Sequence, residues 1–370
     1  MKTLFIPSPE IGSIEDALWP VYADHQIQGV LMLMAQDNAP QAPELDAVLI
    51  SAPKPIFGGI FPKLLWQGRV IDSGVILLLL DCPVDVLVID DMQSDLQALD
   101  RWEHKSPAMP DCPRHTLFSF VDGLSANIGG LISALFNQFG LEINYIGGGC
   151  GRIDFLAMPC VITPQGLLRS AAVLALACCH TAVAVAHGWQ PISSAYKVTE
   201  VLGNRIVSLD WLPAIEVYRQ EVEKHSGRSL DPDHFLALAK AYPFGIANLG
   251  DEMVVRDPVR VEADSLVCVG AIRQGAYVHV LHGEPDTLID AARRASINAV
   301  SRYGTRSPVC QIFVDCVSRA LFLGPEYVAE LAAVHQPPLT MIGALTLGEI
   351  ANSGEDYLEF FNKTSVVGLI

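Results

Sequence analysis

Four polar residues near apolar segments could contact a small molecule: Asp122, Arg319, Glu349 and Asn362. A buried carboxylate such as that of Glu349 needs a partner, which can be the backbone, an arginine such as Arg319, or a charged ligand. Asp122 follows an apolar strand and Asp315 stands at the equivalent place further on, where open α/β sheets present ligand-facing side chains. Both aspartates could equally cap the helices after them. The chemistry indicated is therefore the capture of a polar ligand.

The glycine-rich segment 147–151 (GGGCG) could hold a phosphate or carboxylate through backbone amides. Residues 153–159 do not begin a helix, so neither a P-loop nor a dinucleotide fingerprint is satisfied. A glycine recurs at 58 and 343, which favours a tight strand end that lets two sheets, or a ligand, approach closely. Gly147, Gly148 and Cys150 are the candidate ligand contacts in this segment.

A haem group would need a histidine, cysteine or tyrosine as axial ligand in an apolar pocket. His187, at the end of an apolar segment, is the leading candidate. His180 and the Cys-Pro dipeptides at Cys82 and Cys112 are alternatives, although each such residue is more often structural. A possible haem ligand is therefore the only metal role predicted.

Catalytic motifs are absent from the sequence: it has no Gly-x-Ser-x-Gly elbow, no His-Glu-x-x-His and no kinase signature. His279 and His282, three apart on a predicted strand, face opposite sides and do not indicate a zinc site. We therefore expect a protein that is not an enzyme. An enzyme acting on a small acid or amide is the alternative that stays open.

Composition narrows the class of protein. The 370 residues are 51% hydrophobic and 18% charged, which is typical of a well-cored globular protein. A formal net charge of -17 would repel a phosphate backbone, so no nucleic-acid partner is expected. Apolar runs such as 171–186 fall short of the roughly 20 residues of a membrane helix, and the first twelve residues do not resemble an export signal. We expect no membrane association and a cytoplasmic protein whose nine cysteines are reduced thiols.

Three weak copies of one pattern organise the chain: a strand, a helix, a glycine-rich strand end, a hairpin and a closing apolar strand. In the clearest copy the strand 116–122 precedes a helix with one apolar face that stops at Gly140, and the closing strand is 172–177. A more degenerate copy opens at 30–34 and closes at 75–80.

A third copy repeats FVDGLS (120–125) as FVDCVS (313–318) and closes the chain at 365–370. Its helix is predicted to start at Pro325 and to bury Val328 and Leu331. The fold class predicted is α/β, built from repeated β-α-β-β-β units with mixed or antiparallel sheets covered by helices. One form of it is a layered αββα arrangement, and we expect the repeated lobes to enclose a hollow for a ligand.

Several segments together resemble the FIST family of bacterial sensory proteins. They are FVDGLS (120–125), IGGGCG (146–151), HGWQP (187–191) with KVT (197–199), GNRI (203–206), PAIEVY (213–218), PFG (243–245), GEI (348–350) and FNKT (361–364). The resemblance covers most of residues 25–370 and implies a FIST N-terminal module at 25–200 and a C-terminal module at 201–370.

The resemblance also implies a function: a cytoplasmic sensor that binds a small-molecule ligand such as an amino acid. No output domain is recognised in the chain, so we expect it to signal to a separate partner, such as the histidine kinase of a two-component system. One stand-alone branch of the family senses nitric oxide through haem, which makes haem a candidate ligand. The chain departs from the family pattern at Cys150 and Arg152, where small residues ending in Gly-Asp are usual. An arginine there favours a carboxylate or propionate over an ammonium group.

Overall fold

A computed structural model describes residues 1–93, 96, 98, 99, 102, 115–231, 234–247, 253–352 and 357–370. Its longer helices cover sheet faces. These helices are Ile11–Ala23, Ala42–Ser51, Ile128–Phe139, Ala214–Ser226, Phe235–Ala239, Pro285–Tyr303, Val317–Leu323 and Tyr327–Val334. Within the described ranges, none combines the length and apolar character that crossing a bilayer requires.

The strands are numbered in chain order. They are β1 (Lys2–Ile6), β2 (Gly29–Ala35), β3 (Ile56–Phe61), β4 (Lys63–Trp66), β5 (Arg69–Ile71), β6 (Val75–Leu80), β7 (Val84–Ile89), β8 (Thr116–Asp122), β9 (Asn144–Cys150), β10 (Val161–Thr163), β11 (Gly166–Leu168), β12 (Ala172–Ala177), β13 (Ala182–Ala186), β14 (Gln190–Pro191), β15 (Tyr196–Leu202), β16 (Arg205–Leu209), β17 (Leu212–Pro213), β18 (Phe244–Ile246), β19 (Val254–Arg256), β20 (Pro258–Glu262), β21 (Ser265–Cys268), β22 (Tyr277–His282), β23 (Cys310–Cys316), β24 (Thr340–Thr346), β25 (Glu349–Ala351), β26 (Glu359–Phe361) and β27 (Ser365–Leu369).

Three six-stranded sheets repeat one design. The first sheet has the order β1-β6-β2-β3-β10-β11, the second β7-β12-β8-β9-β25-β26 and the third β13-β27-β23-β24-β4-β5. In each sheet the third and fourth strands are parallel and the flanking pairs are antiparallel. The predicted α/β fold with repeated units and mixed sheets is therefore confirmed, with three repeated sheets sharing one core instead of two stacked ones.

Each sheet is completed by a hairpin from another repeat. The hairpin β4–β5 of the first repeat joins β24 in the third sheet, β10–β11 of the second joins β3 in the first sheet, and β25–β26 of the third joins β9 in the second sheet. Strands from both ends of the chain therefore lie in the same sheets. A fourth, larger sheet runs β19-β18-β22-β15-β16-β21-β20, with β14 on β22 and β17 on β16.

The inner faces of the three sheets form a common core, so the prediction of a hollow between the repeats is wrong. A cavity of about 10 Å³ remains there, which is room for about one water molecule. Its lining comes from all three sheets: Leu31, Leu33, Phe61, Phe118, Phe120, Ile146, Ile312, Val314, Ala344 and Thr346. Large apolar side chains at alternate strand positions fill the space where we expected a ligand.

One glycine in each repeat lets the two parallel strands approach closely. A Cβ atom added at Gly58, Gly147 or Gly343 would lie 2.0, 1.9 or 1.8 Å from the carbonyl oxygen of the residue opposite. No side chain fits at such distances. These glycines are therefore explained by packing, which agrees with the geometric interpretation of their recurrence.

Two local expectations need correction. The helix of the third repeat begins at Tyr327 after a 3-10 turn at Gly324–Glu326, so Tyr327 and Leu331 face the core and Val328 is 69% exposed. Cys178 is disulfide-bonded, although seven other described cysteines are free thiols. The prediction of reduced thiols throughout is therefore wrong for Cys178.

Candidate functional site

Glu349 lies on β25, directly opposite Gly148 of β9, and its side chain is fully buried. One carboxyl oxygen accepts a hydrogen bond from the Thr346 hydroxyl at 2.9 Å, and the other accepts one from the Thr364 backbone N–H at 3.3 Å. Burial, followed by the charge of Asp315, raises the pKa of Glu349 well above its usual value. Local donors, rather than Arg319, are therefore the partners of this carboxyl group.

The turn Asn362–Thr364, between β26 and β27, joins three sheets. Lys363 has a positive φ of 54°, and its ammonium group forms an ion pair with Asp257 at 3.1 Å. That ammonium also donates to the Lys240 carbonyl at 3.0 Å, and it lies 4.9 Å from the ring centre of Trp189. We call the cluster of Glu349, Asn362, Lys363, Asp257 and Trp189 the Asn362 junction.

Two acceptor atoms at the Asn362 junction have no donor among the described residues. Asn362 is 3% exposed, and its Oδ1 atom is buried without a hydrogen bond; the same holds for Oδ1 of Asp257. Burial raises the pKa of Asp257, and the ion pair with Lys363 partly offsets that rise. An unsatisfied buried acceptor costs about 1–3 kcal/mol. Both atoms could accept a hydrogen bond from a ligand or a water molecule.

Arg319 lies beside the Asn362 junction in a network of its own. Its guanidinium contacts Glu330 at 2.7 Å and Asp315 at 3.2 Å, and it donates to the backbone carbonyls of His187 (2.5 Å) and Lys363 (3.2 Å). Burial alone would lower the pKa of Arg319, but the two carboxylates raise it above its usual value. Arg319 is thus neutralised by the protein and fixes the Lys363 turn.

His187 does not meet the needs of a haem ligand. Its side chain is buried, and Nδ1 accepts a hydrogen bond from the Trp189 backbone N–H at 2.9 Å. Burial and then the charges of Arg319 and Arg294 lower its pKa to about 3. With Nδ1 occupied by the Trp189 N–H and the side chain 5% exposed, the residues around His187 as they are arranged do not fit a haem group. Of the other candidates, Cys112 lies outside the described residues.

Asp122 binds backbone N–H groups at the end of β8. One carboxyl oxygen accepts from Leu124 at 3.0 Å and the other from Ser170 at 2.8 Å. It is opposite Cys150 in the register of β8 and β9. The structure therefore gives Asp122 a turn-forming role. It does not cap the following helix, which begins at Ile128 after the N-cap residue Asn127.

Gly148 and Gly149, near the carboxyl end of β9, make room for the turn between β24 and β25. A Cβ atom at Gly149 would lie 2.5 Å from the Leu347 carbonyl oxygen, and one at Gly148 would lie 2.7 Å from that of Gly348. Cys150 is fully buried against Gly59, and burial raises the pKa of its thiol well above the usual value. Gly147, Gly148 and Cys150 therefore contact protein atoms in this structure.

Arg152 lies on the surface, away from the Asn362 junction. Its guanidinium binds the carboxylate of Asp154 through two nitrogens, the shorter contact being 2.8 Å. Asp154 balances the charge of Arg152, so the argument for a carboxylate ligand has no support from this contact.

The structure brings Glu349, Asn362 and Gly148 together, with Arg319 adjacent. Asp122 lies opposite Cys150 at the carboxyl end of β9, two residues beyond Gly148, and Arg152 follows that end. Asp257, Glu330 and Lys363 were not predicted as site residues. Lys363 lies within the FNKT segment that carried the family resemblance, so its position was available as a signal. No comparable signal pointed to Asp257, which belongs to another sheet.

Comparison with known proteins supplies the family. The FIST N domain matches residues 30–212, and the FIST C domain matches residues 214–352. A search of the curated proteins gave no match. The two matches follow one another in the order expected from the sequence segments. The chain therefore belongs to the FIST family, whose domains are associated with small-ligand sensing in signal transduction.

Proposed function

We propose that this protein is a cytoplasmic ligand sensor that binds a small molecule at the Asn362 junction and signals to a separate partner, such as a histidine kinase. The observation that carries the proposal is the pair of buried acceptors without donors, Oδ1 of Asn362 and Oδ1 of Asp257. Since both atoms accept hydrogen bonds, the matching ligand presents N–H or O–H groups, as the ammonium group of an amino acid does.

Binding at this place couples to the arrangement of the sheets. The turn Asn362–Thr364 is held to the second sheet through Glu349 and to the Lys240 carbonyl, next to the fourth sheet, through Lys363. Asn362 is 3% exposed, so a ligand reaches it only when this turn moves. A ligand that binds the moved state more tightly shifts the population towards it, which is the thermodynamic requirement for a signal.

The proposal does not require haem, because His187 is buried and its Nδ1 already accepts a hydrogen bond from the Trp189 N–H. Absorbance of the purified protein separates the two ligand classes. A Soret band that moves on exposure to nitric oxide would replace the Asn362 junction by a haem site. Turnover of a small acid or amide that is lost in Glu349→Gln would favour the enzyme alternative.

The ligand test uses Asn362→Leu, which removes the unsatisfied acceptor at nearly constant size. Thermal unfolding is followed with a panel of amino acids, and a hit stabilises the wild type by about 2.7 kcal/mol at 100 times its dissociation constant. We expect the variant to fold and to lose this stabilisation. Ser119→Ala is the matched control, since Ser119 Oγ is another buried atom without a partner, far along the chain. Equal stabilisation of the wild type and Asn362→Leu would contradict the proposal.

Signalling to the partner is tested separately, by measuring the autophosphorylation of a purified candidate histidine kinase mixed with the protein. Ligand should change the rate with the wild type and leave it unchanged with Asn362→Leu. If a kinase binds the protein but autophosphorylates at the same rate with the liganded wild type and without it, signalling to that kinase is contradicted.

A further inference from the structure

Two cysteines mark the places where the chain passes between sheets. Cys82 lies between β6 of the first sheet and β7 of the second, and Cys179 lies between β12 of the second sheet and β13 of the third. The two passages are adjacent in space, because β7 and β12 are antiparallel neighbours at the edge of the second sheet.

The register of β7 and β12 places these cysteines opposite one another. Val84 pairs with Ala177, and the backbone N–H of Cys178 donates to the Pro83 carbonyl at 2.9 Å, so the pairing continues one residue beyond the strands. One further step brings Cys82 opposite Cys179. Directly opposite residues have Cβ atoms about 4.5–5.5 Å apart, close to the separation of about 3.5–4.5 Å found in disulfides.

The two thiols differ in environment. Interaction with the Cys179 thiol lowers the pKa of Cys82, and the same interaction, followed by burial, raises the pKa of Cys179. Cys82 is partly exposed, whereas Cys179 is 7% exposed. The exposed sulfur is thus the one favoured as thiolate, and its buried neighbour retains the proton.

We propose that Cys82 and Cys179 form an oxidation site that closes into an intramolecular disulfide on reaction with a hydroperoxide. The Cys82 thiolate attacks the peroxide oxygen, the O–O bond breaks, and a sulfenic acid and one water (or alcohol) molecule form. The Cys179 sulfur then attacks the Cys82 sulfur, the S–O bond breaks, and a second water molecule leaves. Two thiols and one hydroperoxide become one disulfide, one water and one water or alcohol.

The disulfide would connect the two inter-sheet passages covalently. It would join Cys82, two residues before β7, to Cys179, three residues before β13, so the first, second and third sheets would be held together at one point. This role is independent of ligand binding at the Asn362 junction, since neither sulfur belongs to that cluster.

The test treats the full-length protein with one equivalent of hydrogen peroxide, blocks the remaining thiols with N-ethylmaleimide, and maps disulfides by peptide mass spectrometry. We expect the loss of two thiols per chain and a linked peptide pair containing Cys82 and Cys179. Cys268 and Cys310 are buried thiols and should be alkylated after unfolding. Peroxide-treated Cys82 that carries sulfinic acid while Cys179 remains a thiol would overturn the proposal.

Neighbouring Cys178 shares a peptide with Cys179, so matched variants assign the bond. The Cys82 link should survive in Cys178→Ser and disappear in Cys179→Ser. The opposite result would show exchange with the disulfide of Cys178 and would also overturn the proposal.

A second pair of variants measures the thiol contact without oxidation. Cys179→Ser retains a hydrogen-bond donor next to Cys82, and Cys179→Ala does not. The pH midpoint for alkylation of Cys82 should rise in the alanine variant and stay near the wild-type value in the serine variant. We expect both variants to fold, because the Thr116 hydroxyl donates to the backbone carbonyl of residue 179, which both variants retain. Thermal unfolding verifies this.

Discussion

The carboxyl ends of β8 and β23 carry almost the same sequence, FVDGLS and FVDCVS, yet their aspartates have different surroundings. Asp122 binds the backbone N–H groups of Leu124 and Ser170. Asp315 is fully buried, contacts Arg319 at 3.2 Å and accepts hydrogen bonds from Tyr327 and Ser365, both at 2.9 Å. One end is a turn and the other is the centre of a charged network.

The register of the parallel strands explains this difference. Ser119 is opposite Gly147 and Phe313 is opposite Gly343, so the structural offset between repeats is 313 minus 119, or 194. The sequence segments align at 315 minus 122, or 193. The prediction that Asp122 and Asp315 stand at equivalent positions is therefore wrong by one residue.

A slip of one residue exchanges the two faces of a strand. Asp122 alternates with Phe118 and Phe120, which belong to the inner core, whereas Asp315 alternates with Phe313, which packs under the helices of the third repeat. The repeated sequence thus forms the same sheet in both repeats, and a register difference of one residue decides which face of the sheet the aspartate side chain lies on. Variants at these two strand ends test how much of the difference depends on charge and how much on packing.

The largest effect is expected on removing the cation of the third sheet. Arg319→Met leaves Asp315 and Glu330 buried without a guanidinium and leaves carbonyl groups such as that of His187 without a donor. We expect the free energy of unfolding to fall by about 3–5 kcal/mol, measured by urea denaturation. Arg152→Met is the control near the second-sheet end, since its exposed ion pair contributes about 0–1 kcal/mol. Equal losses for the two variants would remove the distinction between the ends.

The next effect should be the same in both sheets, because it depends on a repeated feature. Gly147→Ala and Gly343→Ala each place a Cβ atom within 2 Å of a carbonyl oxygen, and each should lower the free energy of unfolding by about 2–3 kcal/mol. Gly129→Ala has no atom within 4 Å of the new Cβ and lies in a helix, so it should raise stability by up to about 1 kcal/mol. A ligand-binding role without a packing role would leave Gly147→Ala as stable as the wild type.

Local pattern was sufficient to predict most of the repeated elements. The strands predicted at 116–122, 172–177 and 75–80 have the same bounds in the structure, and the helix before Gly140 ends there. The exchange of hairpins between sheets was not predictable, because the pairing of β25 with β9 joins residues about 200 positions apart and no local periodicity records it.

The candidate site was predictable only where the local sequence pattern marked its residues. Glu349 and Asn362 were found as polar residues beside apolar strands, and they do lie in one cluster. Their partners Asp257 and Trp189 come from distant segments, so only the folded chain reveals them. Arg152 was chosen for its departure from a family pattern, and its surface ion pair with Asp154 shows that an unusual residue type need not face a ligand.

Acid sensitivity provides the third prediction, at the third-sheet end. His187 has a pKa of about 3 in the folded protein and 6.5 as the ordinary value, so the unfolded chain binds a proton first as the pH falls. Stability is therefore lost from pH 6.5 downward, by about 1.4 kcal/mol per pH unit. His187→Asn retains an acceptor for the Trp189 N–H without titrating. Urea unfolding at pH 7 and pH 5 should show the wild type losing about 2 kcal/mol more than the variant, and parallel losses would contradict a buried neutral histidine.

The smallest effects belong to the aspartates themselves. Asp122→Asn removes one of two acceptors for backbone N–H groups and should cost about 1 kcal/mol at pH 7. In Asp315→Asn the bidentate pair of Arg319 and Glu330 remains, and the charges are balanced, so its cost at pH 7 should be within about 1 kcal/mol.

Dependence on pH distinguishes Asp315 from a simple acceptor. Burial, followed by the charge of Glu330, raises the pKa of Asp315 well above its ordinary value of 3.8. The folded protein therefore holds a proton that the unfolded chain has released, and wild-type stability falls as the pH rises from about 4 through this raised pKa. Asp315→Asn removes this titrating group and its pH dependence. The free energy of unfolding of the variant, relative to that of the wild type, should therefore increase steadily with pH in a series of urea unfolding experiments. If the stability of Asp315→Asn relative to the wild type instead declined with pH, Arg319 would be holding Asp315 ionised in the folded protein. The charged network would then hold one proton fewer than the burial of Asp315 implies.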